Sequence, residues 1–143
     1  YIGPRKTAGI LIQNTLSGNF LQSSVVGIGL NVNQTIFPPQ APNATSLALA
    51  AGQHFGLETV AETLFECLEK RYLQLKSGAL QNLRGEYEAL LLGKNEHRQF
   101  ARPDGKAFGG TILGVGEDGR LIVRSASGIE VFALKEIQML PNI

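Results

Sequence analysis

The sequence predicts an α+β protein in which a mixed or antiparallel sheet, backed by helices, is followed by a small β-barrel. Three observations predict this class: two β-rich segments come first, helical periodicity fills the middle, and short runs between turn signals fill the last third. The residue pattern changes from helical periodicity to short runs between turn signals after "GKN" at 93 to 95. We therefore divide the chain into residues 1–95, a sheet-and-helix domain, and residues 96–143, the small barrel.

Composition indicates an ordinary globular chain and excludes several classes of partner. The apolar fraction is 43% and the charged fraction 17%, with 13 basic against 12 acidic residues, so no bulk charge favours nucleic acid or an anionic membrane. One cysteine, Cys67, excludes an internal disulfide framework and is typical of a reducing compartment. With neither an apolar span nor a basic leader in the sequence, we expect a cytoplasmic protein.

The first β-rich segments predict an antiparallel hairpin. "KTAGILIQ" at 6 to 13 is followed by the polar, glycine-containing loop "NTLSGN" and then by "FLQSSVVGIGLNVN" at 20 to 33. Two such runs joined by a short loop of this kind pair with each other. The sequence leaves their register open.

The stretch "VVGIGLNVN" at 25 to 33 separates into two faces, because successive side chains of a strand point to opposite sides. Four aliphatic side chains make a core face: Val26, Ile28, Leu30 and Val32. The other face carries Gly27 and Gly29 and ends in asparagines, which predicts an open floor where a flat ligand can approach the backbone. The alternative is a bulge or a tight crossing at the glycines, with Asn31 and Asn33 simply ending the strand.

The middle of the chain predicts a loop and three helices. Residues 34–46 contain three prolines and read as a loop, and residues 47–55 as a short helix. A long helix is predicted from a capping box at Thr59 and Glu62 to a stop at Ser77-Gly78. Leucine spacing predicts a further helix over 79–92.

The last third carries three turn signals: Asp104-Gly105, Asp118-Gly119 and Ser127-Gly128. They separate short runs such as "GGTILGV", "RLIVRS" and "EVFAL". This spacing predicts a small antiparallel sheet or barrel. A unit of about 45 residues buries little by itself, so we expect it to pack against the helices or the hairpin.

The order of these segments resembles the second half of the biotin protein ligases, the biotin–acetyl-CoA-carboxylase ligases. The resemblance lies in "RKTAGILIQ" at 5 to 13, "VVGIGLNVN" at 25 to 33, a proline-rich loop ending in "ATSL" at 44 to 47, two helices and a terminal barrel. It implies part of a class II synthetase-like ligase fold followed by a Src-homology-type barrel. It also implies an enzyme that uses ATP and Mg²⁺ to convert biotin to biotinyl-5′-AMP, then biotinylates a lysine of the biotin carboxyl carrier protein of acetyl-CoA carboxylase.

The resemblance assigns four residues. Lys6 matches the family lysine that contacts the biotin carboxylate and the adenylate phosphate, and Gly9 matches a glycine lining the ligand pocket. Gly29 matches a position of close backbone approach, and Asn31 matches a residue near the ATP phosphates and Mg²⁺, with no direct metal ligand assigned. A fixed ammonium stabilises the negative charge that concentrates when a carboxylate meets a phosphate, which agrees with the role of Lys6.

The sequence also departs from the family pattern. Gln13 stands where the family has glutamate, and "LKEIQ" at 134 to 138 replaces a more usual "GEV". The glycine- and arginine-rich biotin loop and the "KWPND" segment are absent from these residues. We therefore expect the C-terminal half of a ligase, with little or no activity by itself. A sheet cut in this way exposes an edge that favours a homodimer or aggregation.

Two rival functions stay open. A lipoate–protein ligase adenylates a different acyl chain on a similar sheet. A non-catalytic module would instead use the hairpin and barrel as a protein-binding surface. An unrelated nucleotide-binding domain is the least favoured reading, because Gly27-Ile28-Gly29 lacks the third glycine and the helix entry of a dinucleotide fingerprint.

Overall fold

The first two β-rich segments form a long antiparallel ribbon in the computed structural model, which describes residues 1–140. Strand β1 spans Ala8–Ser17 and β2 spans Phe20–Leu30. The hairpin prediction is confirmed, but the strands pair through most of the predicted loop, and the turn narrows to Gly18 (φ 60°) and its neighbour. Glycine tolerates this left-handed conformation without steric cost.

The two faces of the ribbon are exposed to different degrees. On the predicted core face, Ile28, Leu30 and Val32 are half-buried, whereas Val26 is 48% exposed and Ile12 on the partner strand 56%. A two-stranded ribbon has no further strand to help bury its apolar side chains. The expected core face is therefore covered only toward the end of β2 within the described residues.

The loop after β2 leads into two helices. Helix α1 spans Leu47–Ala51, begins at Ser46, whose side chain accepts the Leu49 N–H (3.1 Å), and ends at Gly52 (φ 69°). Helix α2 spans Leu57–Lys76. It begins two residues before Thr59, so the predicted capping box at Thr59 was wrong as the start of the helix.

The earlier start of α2 follows from a contact with the end of the ribbon. The Asn33 side chain donates to the Phe55 carbonyl (2.7 Å) and accepts the Phe55 N–H (2.9 Å), which fixes the backbone just before the helix. The predicted stop at Ser77-Gly78 is confirmed, with Gly78 at φ 82°. Among the described helices, none is both long and apolar enough to cross a membrane.

The chain divides into two compact units, residues 1–70 and residues 71–143 as far as they are described. The second unit contains α3, Leu80–Ala89, which is shorter than the predicted 79–92. Its strands form one antiparallel sheet in the order β6-β5-β4-β3-β7. They span β3 His97–Ala101, β4 Ala107–Val115, β5 Leu121–Ser125, β6 Gly128–Phe132 and β7 Gln138–Met139. The last three residues of the predicted barrel lie outside the described part.

The core of this sheet is small and aromatic. Its fully covered members are Phe100, Ile112, Val123 and Phe132. Phe108 stacks between two of them, with ring centroids 5.5 Å from Phe100 and 5.8 Å from Phe132. Gly110 is required here, because a Cβ at that position would stand 2.6 Å from Val123 Cγ1.

Helix α3 and the segment after it pack against this sheet. Arg84 donates to the Val115 carbonyl (2.8 Å), and Glu88 pairs with Lys94 (2.7 Å) and, more loosely, with Arg84 (3.4 Å). Leu91 packs on the aromatic core. The hydrogen bond from Lys94, followed by that from Arg84, lowers the pKa of Glu88 below its ordinary value of 4.5. The expected support of the small sheet by a helix is confirmed.

One strained position coincides with the departure from the family pattern. Lys135 has φ 69°, in the region that favours glycine. It lies within "LKEIQ" at 134 to 138, the segment that departs from the more usual "GEV". A side chain other than glycine has a steric cost in this conformation.

Candidate functional site

Lys6 is held through its backbone by the segment that precedes α1. Its N–H donates to the Asn43 carbonyl (2.8 Å), and its carbonyl accepts the Thr45 N–H (2.9 Å). The two segments thus pair as an isolated parallel bridge between Lys6 and Ala44. The end of the predicted proline-rich loop therefore fixes the backbone of Lys6, the predicted catalytic lysine.

The Lys6 side chain turns toward the glycine face of the ribbon. A Cβ built on Gly9 would lie 3.9 Å from both Cε and Nζ of Lys6. Gly9 pairs directly with Gly29 across the strands, and directly opposed residues present their side chains on the same face. The ammonium group therefore lies beside a pair of facing glycines.

The glycine face is open at its centre. A Cβ at Gly29 would meet no atom of the described residues within 4 Å, and one at Gly27 would meet only the Leu11 carbonyl at 3.8 Å. The single register shift of the ribbon falls between Thr15 and Leu16, away from both glycines. The alternative of a bulge or a tight crossing at these glycines is therefore wrong for the described structure.

Asn31 connects three segments beside this floor. Its N–H donates to the Thr7 carbonyl (2.9 Å), and its own carbonyl accepts the Leu47 N–H (3.0 Å). Its side-chain Nδ2 donates to the Thr45 carbonyl (3.0 Å). One N–H of the amide is thus engaged within the protein, and Oδ1 is placed to accept from a ligand.

Asn33 and Gln13, two further polar residues of the first unit, do not contact the glycine floor. Both polar atoms of the Asn33 side chain bond to Phe55, so its role is structural. Gln13 is exposed on β1 opposite Val25, away from the glycine pair. Neither adds to the floor formed beside Lys6.

Sequence reasoning missed the buried polar residues that support the site. Thr7, Thr45 and Ser46 are 4%, 3% and 0% exposed. Ser46 could have been found, because a serine before an apolar helical run is a cap signal. The role of Thr45 had no local signal, because its partners are distant in the sequence.

The arrangement suits an anion attached to a flat group. An ammonium beside an uncovered stretch of backbone attracts a carboxylate or phosphate, while the facing glycines admit a ring to within contact distance. The described residues contain no cluster of three or more metal-ligating side chains.

No family model matches the chain, but it is similar to two curated proteins. It is 30% identical over 141 residues to the bifunctional ligase/repressor BirA of Bacillus subtilis and, over the same length, to that of Bacillus spizizenii. Each match covers 96% of this chain and 43% of the relative. The chain therefore spans less than half the length of these relatives.

Solved structures of biotin protein ligase from Aquifex aeolicus share the fold. The apo structure matches with a TM-score of 0.75 at 21% identity, covering 97% of this chain and 60% of that one. The structure in complex with biotin and ATP matches with a TM-score of 0.74 at 23% identity, covering 99% and 59%.

The α+β sheet-and-helix unit with its small Src-homology-like barrel therefore has the fold of the biotin protein ligases. The chain is similar to the BirA proteins over 96% of its own length and matches the biotin protein ligases as a C-terminal portion of them. The resemblance drawn from "RKTAGILIQ" and "VVGIGLNVN" is confirmed.

Proposed function

We propose that this chain is the C-terminal portion of a biotin protein ligase that activates biotin with ATP and biotinylates a carrier protein. The observation that carries the proposal is the Lys6 ammonium beside the facing pair Gly9 and Gly29. The homology to the BirA proteins supports the ligase class, and the Aquifex aeolicus complex with biotin and ATP supports the two substrates.

In the proposed reaction, a carboxylate oxygen of biotin attacks the α-phosphorus of ATP. The bond from that phosphorus to the bridging oxygen breaks, and pyrophosphate leaves. Lys6 stabilises the negative charge that gathers where carboxylate and phosphate meet. In the second step a carrier lysine amine attacks the acyl carbonyl, loses a proton and displaces AMP.

The glycine pair and Asn31 have supporting roles in this proposal. Gly9 and Gly29 let the bound nucleotide lie against the backbone, because neither projects a side chain. Asn31 would lie near the phosphates, where its Oδ1 could accept from a metal-bound water without adding charge. If Mg²⁺ is required, it would neutralise phosphate charge and would be held mainly by the ATP phosphates.

The wider setting is proposed on the same grounds. The acceptor is the biotin carboxyl carrier protein of acetyl-CoA carboxylase, and the compartment is the cytoplasm. Residues 1–95 complete the catalytic domain and residues 96–143 form the terminal barrel. Exposed apolar side chains on the ribbon, such as Ile10 (66%) and Val25 (66%), favour a homodimer.

The test measures biotin-dependent exchange of pyrophosphate into ATP by the full-length protein that carries this chain. We expect Lys6→Ala to lower the exchange rate by a factor of ~10² to 10³, as for other lost transition-state contacts. Lys70→Ala, which removes an exposed lysine of α2, is the matched control and should exchange at the wild-type rate. Lipoate should not replace biotin.

Three outcomes would contradict the proposal. Exchange driven by lipoate in place of biotin would identify the rival acyl ligase. Unchanged exchange in the Lys6→Ala protein would remove the catalytic role of the lysine. Absence of exchange with either acid, in a folded protein, would favour the non-catalytic binding module.

A further inference from the structure

We infer that Asn31 is a positioning residue that acts through Thr45 on Lys6. The inference rests on the proposed function of Lys6 and goes beyond it, because the resemblance places Asn31 only beside the phosphates and Mg²⁺. The Asn31 Nδ2 atom donates to the Thr45 carbonyl (3.0 Å), and the Thr45 N–H donates to the Lys6 carbonyl (2.9 Å). The side chain of one predicted site residue thus controls the backbone of the other.

The connection is short and largely shielded from water. Thr45 is 3% exposed and Asn31 is half-buried. Water therefore cannot easily replace the amide as the partner of the Thr45 carbonyl, and loss of the donor leaves a buried acceptor unpaired. The backbone of Asn31 is held as well, by Thr7 on one side and Leu47 on the other.

The Lys6 backbone depends on this connection. In the described chain both of its polar groups bond to the 43–45 segment, and Asn31 secures the far end of that segment. A shift of that segment moves the Lys6 backbone, and the ammonium then leaves its place beside Gly9. Displacement of about 1 Å at a reacting group costs about 10²-fold in rate.

Asn31→Asp separates this role from that of a ligand-binding residue. The change keeps the size and the Oδ1 acceptor but replaces the Nδ2 donor with an oxygen that repels the Thr45 carbonyl. A residue that served only Mg²⁺ would keep or strengthen its contact as a carboxylate. A positioning residue would lose its function.

The experiment is a double-mutant cycle in the full-length protein, with Lys6→Ala, Asn31→Asp and their combination, measured as biotin-dependent pyrophosphate exchange. We expect Asn31→Asp to lower the rate about tenfold or more at saturating Mg²⁺. In the Lys6→Ala protein the same change should have an effect of less than about threefold, since residues that act through one another are not additive. Asn14→Asp, an exposed position on β1, is the charge control.

The outcomes distinguish this inference from the proposed function. Equal fold losses in both backgrounds would overturn the positioning role while leaving Lys6 catalytic. A wild-type rate for Asn31→Asp would overturn it as well. A wild-type rate for Lys6→Ala would overturn the proposed function first, and the inference with it.

Discussion

Gly9 and Gly29 lie directly opposite each other on β1 and β2, and the Lys6 ammonium lies beside them on the face that they share. Two glycines facing each other weaken a ribbon, since neither contributes a side chain to cross-strand packing. The gain is a stretch of backbone that a ligand can approach. The first prediction follows from this geometry.

Gly29→Ala should weaken ligand binding without weakening the fold. A Cβ at Gly29 meets no described atom within 4 Å, so the added methyl group fits the free protein. It would occupy the space proposed for the adenylate. We expect the affinity for a biotinyl-adenylate analogue, measured by calorimetry on the full-length protein, to fall about tenfold, or about 1.4 kcal/mol.

The control for that prediction is Gly85→Ala on α3, which also meets open space. It should leave the affinity unchanged and stabilise the helix by up to about 1 kcal/mol. Unchanged affinity in Gly29→Ala, or an equal loss in both variants, would contradict the ligand floor.

The 143-residue chain alone should catalyse little or no biotin-dependent pyrophosphate exchange. It spans 43% of the length of the BirA relatives, and in the described site a Cβ added at Gly29 meets no atom within 4 Å, so the glycine floor is open. Water reaches such a site freely and weakens its electrostatic interactions. Exchange at the rate of the full-length protein would contradict this prediction.

Asn33→Ala should destabilise the first unit. The change removes both hydrogen bonds to the Phe55 backbone and leaves a half-buried N–H and carbonyl without their partners. We expect a loss of about 1–3 kcal/mol in the free energy of unfolding, measured by denaturant titration followed by circular dichroism. Gln34→Ala, which removes one exposed bond to the Ile36 carbonyl, is the control and should cost much less. Equal losses in the two variants would contradict the prediction that the Asn33 hydrogen bonds stabilise the fold more than the exposed Gln34 bond does.

The ion pairs of Glu88 should stabilise the second unit in a pH-dependent way. The hydrogen bond from Lys94, then that from Arg84, lowers the pKa of Glu88, so the folded state binds its proton less readily than the unfolded state. This stabilisation is fully present above the ordinary value of 4.5 and is lost as the pH falls through the lowered pKa. Glu88→Gln should therefore lower the Tm by a few degrees near neutral pH, with a smaller difference in acid.

Thermal unfolding of both proteins across this pH range checks the prediction. Glu66→Gln, at an exposed position of α2, is the control and should show little difference at any pH. A Tm difference for Glu88→Gln that persists unchanged well below 4.5 would contradict the ion-pair explanation.

Lys135→Gly should stabilise the barrel. Lys135 holds φ 69°, where a side chain costs about 1–2 kcal/mol relative to glycine, although the greater freedom of glycine in the unfolded chain offsets part of the gain. We expect a net stabilisation of about 0.5–1 kcal/mol in denaturant titrations. Asn95→Gly, at φ 63°, is the comparison and should gain less, because asparagine tolerates this conformation. Destabilisation by Lys135→Gly would mean that the lysine side chain has contacts that outweigh the strain.

The predictable features of the fold depend on short-range patterns. The hairpin followed from two β-rich runs and a glycine turn, and the stop of α2 followed from Ser77-Gly78. The start of α2 was mispredicted, because Asn33, which is 22 residues from Phe55, decides where the helix begins. A capping signal at Thr59 describes only the local preference.

The sequence by itself determined the alternation that puts Gly27 and Gly29 on one face of β2, and with it the open floor. It also determined the resemblance that selected Lys6 and Asn31, because residue types at fixed spacing carry both kinds of information. Only the tertiary structure decided that Gly9 faces Gly29, that the 43–45 segment holds the Lys6 backbone, and that the Asn31 amide reaches the Thr45 carbonyl. These contacts join residues far apart in the chain, and a hydrogen bond between distant partners leaves no periodic trace in the sequence.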